Sequence, residues 1–148
     1  MTRPGAALKL LRAFVFAAVA LISEFSIARA DIQIAIEAAR QRMIVSVDGT
    51  ARWTWPVSTG APGYRTPTGS YHVQRLARYH VSKEWDDAPM PHSIFFTSRG
   101  HAIHGTDRTR LLGRPVSHGC VRLSSANAAK LFQLVASREL STITVIVN

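Results

Sequence analysis

The chain of 148 residues contains a single cysteine, and it stands in Ser117-His118-Gly119-Cys120-Val121-Arg122-Leu123. A second histidine motif precedes it, Ile103-His104-Gly105-Thr106. A cysteine acts as a nucleophile through its thiolate, and a neighbouring imidazole lowers the thiol pKa or removes its proton. His104 and His118 are both candidates for that task. If residues 117–122 are extended, His118, Cys120 and Arg122 project on one face, because strand side chains alternate. Gly119 then lets a ligand or a backbone come close to the thiol. Backbone N–H groups around Gly119 and Cys120 can receive an oxyanion. A carbonyl near Gly105 can fix the tautomer of His104 arriving from another strand. Arg122 either binds a substrate carboxylate through its planar fork or braces the loop through a salt bridge, and the brace is the simpler reading.

The first thirty residues bear on whether that thiol is free. Arg3, Lys9 and Arg12 precede an unbroken apolar run of ten residues over 13–22, and Ala28-Arg29-Ala30 follows. A basic start, a short apolar core and small residues before Asp31 predict a secretory signal peptide cleaved there. Ten residues are too few to span a bilayer, which takes about 20. Export to an oxidising compartment makes a lone cysteine unusual: it must be buried, paired with another chain, or kept as a reactive thiol.

Residues 31–148 are one domain's worth of chain, with no internal repeat or linker. Four of the 18 Lys and Arg and one of the nine acidic residues lie before position 31, so this domain carries a net charge of +6. The basic residues are scattered. With export, that argues against nucleic acid and for a soluble basic surface or an acidic wall polymer as partner.

The elements that must position the thiol are mostly strands. Residues 31–36 alternate apolar and polar. Residues 42–47 and 51–57 flank Asp48-Gly49, a hairpin signal. Residues 59–69 are rich in turn formers, 70–76 read as one strand, 92–97 as another, and 101–104 as a short return. Residues 77–91 have no period and suit either a functional loop or lid or an ordered surface loop. Ser124 is an N-cap for a helix to about residue 136, with Ala128, Leu131, Leu134 and Val135 inward. Residues 141–147 form a closing β-branched strand. His92 and His101 have no role beyond proximity in sequence, and Trp53 and Trp55 read as packing. The expected fold class is mainly β, sandwich-like, with one helix after the cysteine motif.

Together, His-Gly-Thr, a loop and Ser-His-Gly-Cys-Val-Arg-Leu resemble the signature of the L,D-transpeptidase (YkuD-type) catalytic domain. Arg65-Thr66-Pro67-Thr68-Gly69, and Met90-Pro91 before the strand carrying Phe95-Phe96, are similar to the same family. The resemblance implies a β-rich fold and a cysteine acyl enzyme acting on peptidoglycan stem peptides in the periplasm or cell-wall space, without metal or cofactor, as a monomer. It matches Cys120 to the nucleophile, His104 to the base and Gly105 to the carbonyl that orients it. His118, Gly119, Ser117 and Arg122 match the surrounding motif. The acyl group passes to an amine on another stem, to an outer-membrane or wall-anchored protein, or to water, the last making a carboxypeptidase. Two other classes compete. His101, His104, His118 and Cys120 are ligand types that suit tetrahedral zinc, although His101 and His104 would point to opposite faces of a strand. A non-catalytic wall-binding module would need only the charge.

Overall fold

The computed structural model describes residues 31–148. The signal-peptide expectation for residues 1–30 lies outside them. Strand β1 (Ile32–Glu37) buries Ile32, Ile34 and Ile36 on one face, as its alternation requires. It lies between β2 (Arg42–Val47), antiparallel, and β11 (Ile143–Val147), parallel. β3 (Thr50–Pro56) pairs with β2 across the Asp48-Gly49 turn, whose φ angles of 52° and 73° are those of a primed hairpin turn. A bulge between Val45 and Ser46 shifts that pairing by one residue, so the strand starts at Thr50 rather than Ala51.

The segment 70–76 is two strands, not one. β4 (Gly69–His72) pairs with β11, whereas β5 (Arg75–Ala77) pairs with β8 (Ser93–Phe95). Between them Val73 donates its N–H to Ile143 O and Gln74 donates to Phe95 O, so the chain crosses from one sheet to the other at a buried corner. The result is a five-stranded sheet ordered β3-β2-β1-β11-β4 and a four-stranded sheet ordered β10-β9-β8-β5, where β9 is Ala102–Thr106 and β10 is Val121–Ser124. Neither sheet closes on itself, and the fold class is the mainly β one that the strand pattern indicated.

Residues 77–91 are ordered. β6 (Val81–Ser82) and β7 (Ala88–Pro89) make a small antiparallel ribbon, tied at its base by Met90 N–H to His80 O at 2.8 Å and His92 N–H to Arg78 O at 2.9 Å. Helix α1 (Ser125–Ala136) is capped by Ser124 Oγ, which accepts the Asn127 N–H at 3.2 Å. It packs on β8, β9 and β10 and buries Ala128, Leu131, Phe132 and Val135. Leu134 is only partly buried at the edge of this core. Phe132, which the spacing argument passed over, takes the inward place against the His92 ring. Trp53 and Trp55 stack on each other with centroids 5.0 Å apart and pack on the core. Among the described residues no helix is long and apolar enough to cross a membrane.

Candidate active site

β9 and β10 run parallel, with Val121 against Ile103 and Arg122 against His104. The link between parallel strands must travel back along the sheet, and residues 107–120 do so, ending at Cys120 one step before β10. Cys120 therefore lies level with Ala102, two residues from His104 on the same face of β9. Its side chain packs with Met90, Phe95 and Ala102 in a small apolar cluster beneath the 77–91 ribbon.

Residues 117–120 are a turn rather than an extended run, because Gly119 holds φ at 118°, a value that side-chain-bearing residues rarely adopt. Three groups fix this turn. The fully buried Ser117 hydroxyl donates to Cys120 O and accepts the Gly119 N–H. Thr66 Oγ1 donates to Gly119 O at 2.9 Å and accepts the Gly60 N–H at 3.0 Å. Residues 58–61 bridge both flanks, with Ser58 and Arg122 exchanging backbone hydrogen bonds at 3.0 and 2.8 Å and Ala61 donating to Ser117 O. Thr59 is in turn gripped by the buried Gln41 amide through two hydrogen bonds. The turn overturns the expectation of a shared face: His118 leaves Cys120 and Arg122 and is exposed between the rings of Tyr64 and Trp85. It also engages the Gly119 N–H internally, so of the two amides considered for an oxyanion only that of Cys120 makes no hydrogen bond among the described residues.

His104 is buried, and its Nδ1 stands 2.8 Å from Gly105 O. A carbonyl only accepts, so Nδ1 carries the proton and Nε2 has a free lone pair. Burial, assisted by the positive fields of Arg122 and His80, pushes the His104 pKa down to about 4 against the opposing Gly105 bond. Burial pushes the Cys120 thiol up, and Glu84 adds to the rise, while the Ala102 N–H aimed at the sulfur and the Arg122 charge oppose it. Both groups therefore rest neutral, and no hydrogen bond joins His104 to Cys120 among the described residues. Arg122 is half-buried beside them, and among the described residues its guanidinium makes no salt bridge. The brace expected of it is absent.

Several contributors carried no sequence signal. His101 lies against Gly119, where a Cβ would meet its ring at 3.1 Å, and its Nδ1 is held 2.9 Å from Thr97 Oγ1. Trp85, at the tip of the ribbon, stacks on His118 with centroids 3.8 Å apart and planes 12° apart, while Tyr64 meets both rings edge-on. Thr66 lies in the Arg65–Gly69 motif, whose resemblance gave it no role in the turn. Among the described residues no group of three or more His, Cys, Asp or Glu side chains is placed to hold a metal ion.

The family model for the L,D-transpeptidase catalytic domain (YkuD) matches residues 31–147. The chain is 34% identical over 93 residues to the Escherichia coli (strain K12) protein named as the L,D-transpeptidase YbiS, covering 60% of this chain and 30% of that protein. It is 25% identical over 105 residues to Bacillus subtilis (strain 168) YkuD, covering 69% of this chain and 59% of the relative. The chain thus spans between about a third and three fifths of the curated relatives it matches. An L,D-transpeptidase from Mycobacterium smegmatis superposes with a TM-score of 0.73 at 24% identity, over 80% of this chain and 59% of the other. L,D-transpeptidase 3 from Mycobacterium tuberculosis, solved with a faropenem-derived adduct, gives 0.70 at 25% identity, over 80% and 60%. With a family match over nearly the whole described region and a fold shared with solved members, the chain belongs to the L,D-transpeptidase catalytic domain family.

Proposed function

We propose that Cys120 is the acyl carrier of a peptidoglycan L,D-transpeptidase working in the periplasm or cell-wall space. One observation carries the reading: the parallel β9–β10 register sets the sulfur on the face of β9 that holds His104, whose Nε2 lone pair is freed by the Nδ1–Gly105 bond. In this reading substrate binding closes the gap between them. His104 takes the thiol proton, and the sulfur attacks the carbonyl of the bond after the third residue of a tetrapeptide stem. The Cys120 N–H receives the oxyanion, and the unpaired Arg122 guanidinium takes the terminal carboxylate. His104 returns its proton to the departing D-alanine amine, leaving a thioester. An amine on another stem, or on a wall-bound protein, then displaces the sulfur.

The faropenem-derived adduct in the Mycobacterium tuberculosis relative suggests a β-lactam as the probe. Incubation with a carbapenem should give a mass increment on Cys120 in the wild type and none in Cys120→Ala. Incubation with purified disaccharide-tetrapeptide should yield a cross-linked dimer with release of D-alanine. A wild-type protein that folds but forms no adduct with either would sink the reading. Release of D-alanine without a dimer would mark a carboxypeptidase using the same pair.

A further inference from the structure

Cys120, Ala102, Phe95 and Arg75 form one row across the four-stranded sheet. The β9–β10 register brings Cys120 level with Ala102, Ala102 pairs with Phe95, and Phe95 pairs with Arg75. Residues paired directly across strands share a face, so Arg75 starts from the face that holds the thiol. Cys120 and Phe95 belong to the same apolar cluster, and the Arg75 guanidinium carbon lies 3.7 Å from the centre of the Phe95 ring. The cation therefore stands two strands from Cys120, roughly 10 Å away at about 4.8 Å per strand. Stacking uses the face of the guanidinium and leaves its in-plane N–H donors free. Arg75 is exposed, and among the described residues those donors make no hydrogen bond or ion pair. The ring thus holds an unused fork in one orientation, which suits a carboxylate received through two parallel bonds. Arg122 points from the same face, but from β10 and against His104. In the proposed reaction the departing D-alanine lies on the Arg122 side, and the acceptor amine takes the place it vacates. Arg75 lies across the sheet from there, where the retained part of the donor extends.

We propose that Arg75 is a specificity-determining residue that binds the free carboxylate on the second residue of the donor stem. The proposal rests on the reading of Cys120 as acyl carrier. In a stem peptide the second residue is a glutamate joined onward through its γ-carboxyl, so its α-carboxylate stays free and charged. Two residues of extended peptide span about 7 Å, and the γ-linkage adds two carbons. That reach carries the carboxylate from the thioester to the Arg75 fork. The acceptor stem has the same group, but its amine enters from the Arg122 side and its body lies there. Arg75 therefore acts on acylation and not on transfer. Because Phe95 already orients the fork, little side-chain freedom is lost on binding. The place is open to solvent, so the gain is modest, about tenfold in affinity.

The test uses donor stems acetylated on the third-residue amine, so that none can serve as acceptor. They carry glutamate or its α-amide second, each with a third residue that has or lacks a side-chain carboxylate. Acyl-enzyme formation on Cys120 is followed by mass spectrometry over a range of donor concentrations. In wild type the KM for acylation should be about tenfold lower with glutamate than with its amide, whichever third residue follows. Arg75→Gln should abolish that preference, and Arg75→Lys, which keeps the charge and loses the fork, should recover part of it. The comparison is made within each variant, so any loss of fold from the Phe95 stack cancels. No preference in wild type, or one that survives in Arg75→Gln, would overturn the proposal. So would a preference that follows the third-residue carboxylate, or an effect of Arg75→Gln confined to the acceptor KM in dimer formation. Calorimetric affinities of the same stems for Cys120→Ala, with and without Arg75→Gln, repeat the comparison without chemistry. A tenfold ratio there that depends on Arg75 upholds the carboxylate site even where wild type forms no acyl-enzyme, an outcome that removes only the reading of Cys120. Equal affinities there overturn the site.

Discussion

A thiol and an imidazole that both rest neutral behave differently from a preformed ion pair. His104 loses its proton at about pH 4 because burial penalises the imidazolium. The base is therefore available above that pH, and the free-enzyme pH–rate profile should rise through the acid range and level off before neutrality. The limb belongs to the coupled Cys120–His104 pair. A profile rising only near pH 6 to 7 would show a solvated imidazole in the working state. The same shift acts on stability. Between the unfolded value near 6.5 and the folded value of about 4, the unfolded chain binds more protons. Stability is thus full above the upper limit and falls as pH drops through this window, which an acid titration of the melting temperature will follow. In His104→Phe that acid dependence should be smaller.

The turn bearing the thiol is set less by its own residues than by a loop from elsewhere in the chain. Thr66 connects the two by holding Gly119 O and Gly60 N–H on a single hydroxyl. Thr66→Val keeps the shape and removes both hydrogen bonds in a buried place, leaving a donor and an acceptor unpaired. A loss of about 1–3 kcal/mol follows, read by urea denaturation. Acylation of Cys120 should slow by about tenfold or more, since small displacements of a nucleophile are costly. An acylation rate equal to wild type would mean that Ser117 alone holds the turn. The 77–91 ribbon acts at the same scale. Its short strands contribute little burial, and its position over the thiol depends on Trp85 meeting His118.

At the scale of the whole molecule, α1 joins the site to the core. Leu131 is fully buried in the core cluster to which both sheets contribute, and the helix lies directly on β9 and β10. Leu131→Ala should destabilise the protein by about 2–5 kcal/mol through lost burial and a residual cavity, measured by denaturant unfolding with an unchanged slope. Carbapenem acylation of the folded fraction should change little, because the β9–β10 register is fixed by backbone pairing.

Local patterns determined much of this protein. The alternation of residues 31–36, the Asp48-Gly49 turn, the Ser124 cap and the β-branched end each write their element within a few residues, where backbone preference and side-chain period suffice. The pairing of a lone cysteine with His104 was legible because both sit in short runs containing glycine. Burial of Phe132 in place of Leu134, the break at Val73 and Gln74, and the withdrawal of His118 were not. Each depends on which sheet or ring lies opposite, a property of distant segments. The positive φ of Gly119 turns His118 away from Cys120, and only Tyr64 and Trp85, brought from 54 and 33 residues upstream of it, give that ring its place. The sequence by itself named a candidate nucleophile, Cys120, and a candidate base, His104. The tertiary structure alone decided that they rest uncharged, through burial, and that His118 is held away from them, through the stacking of one tryptophan.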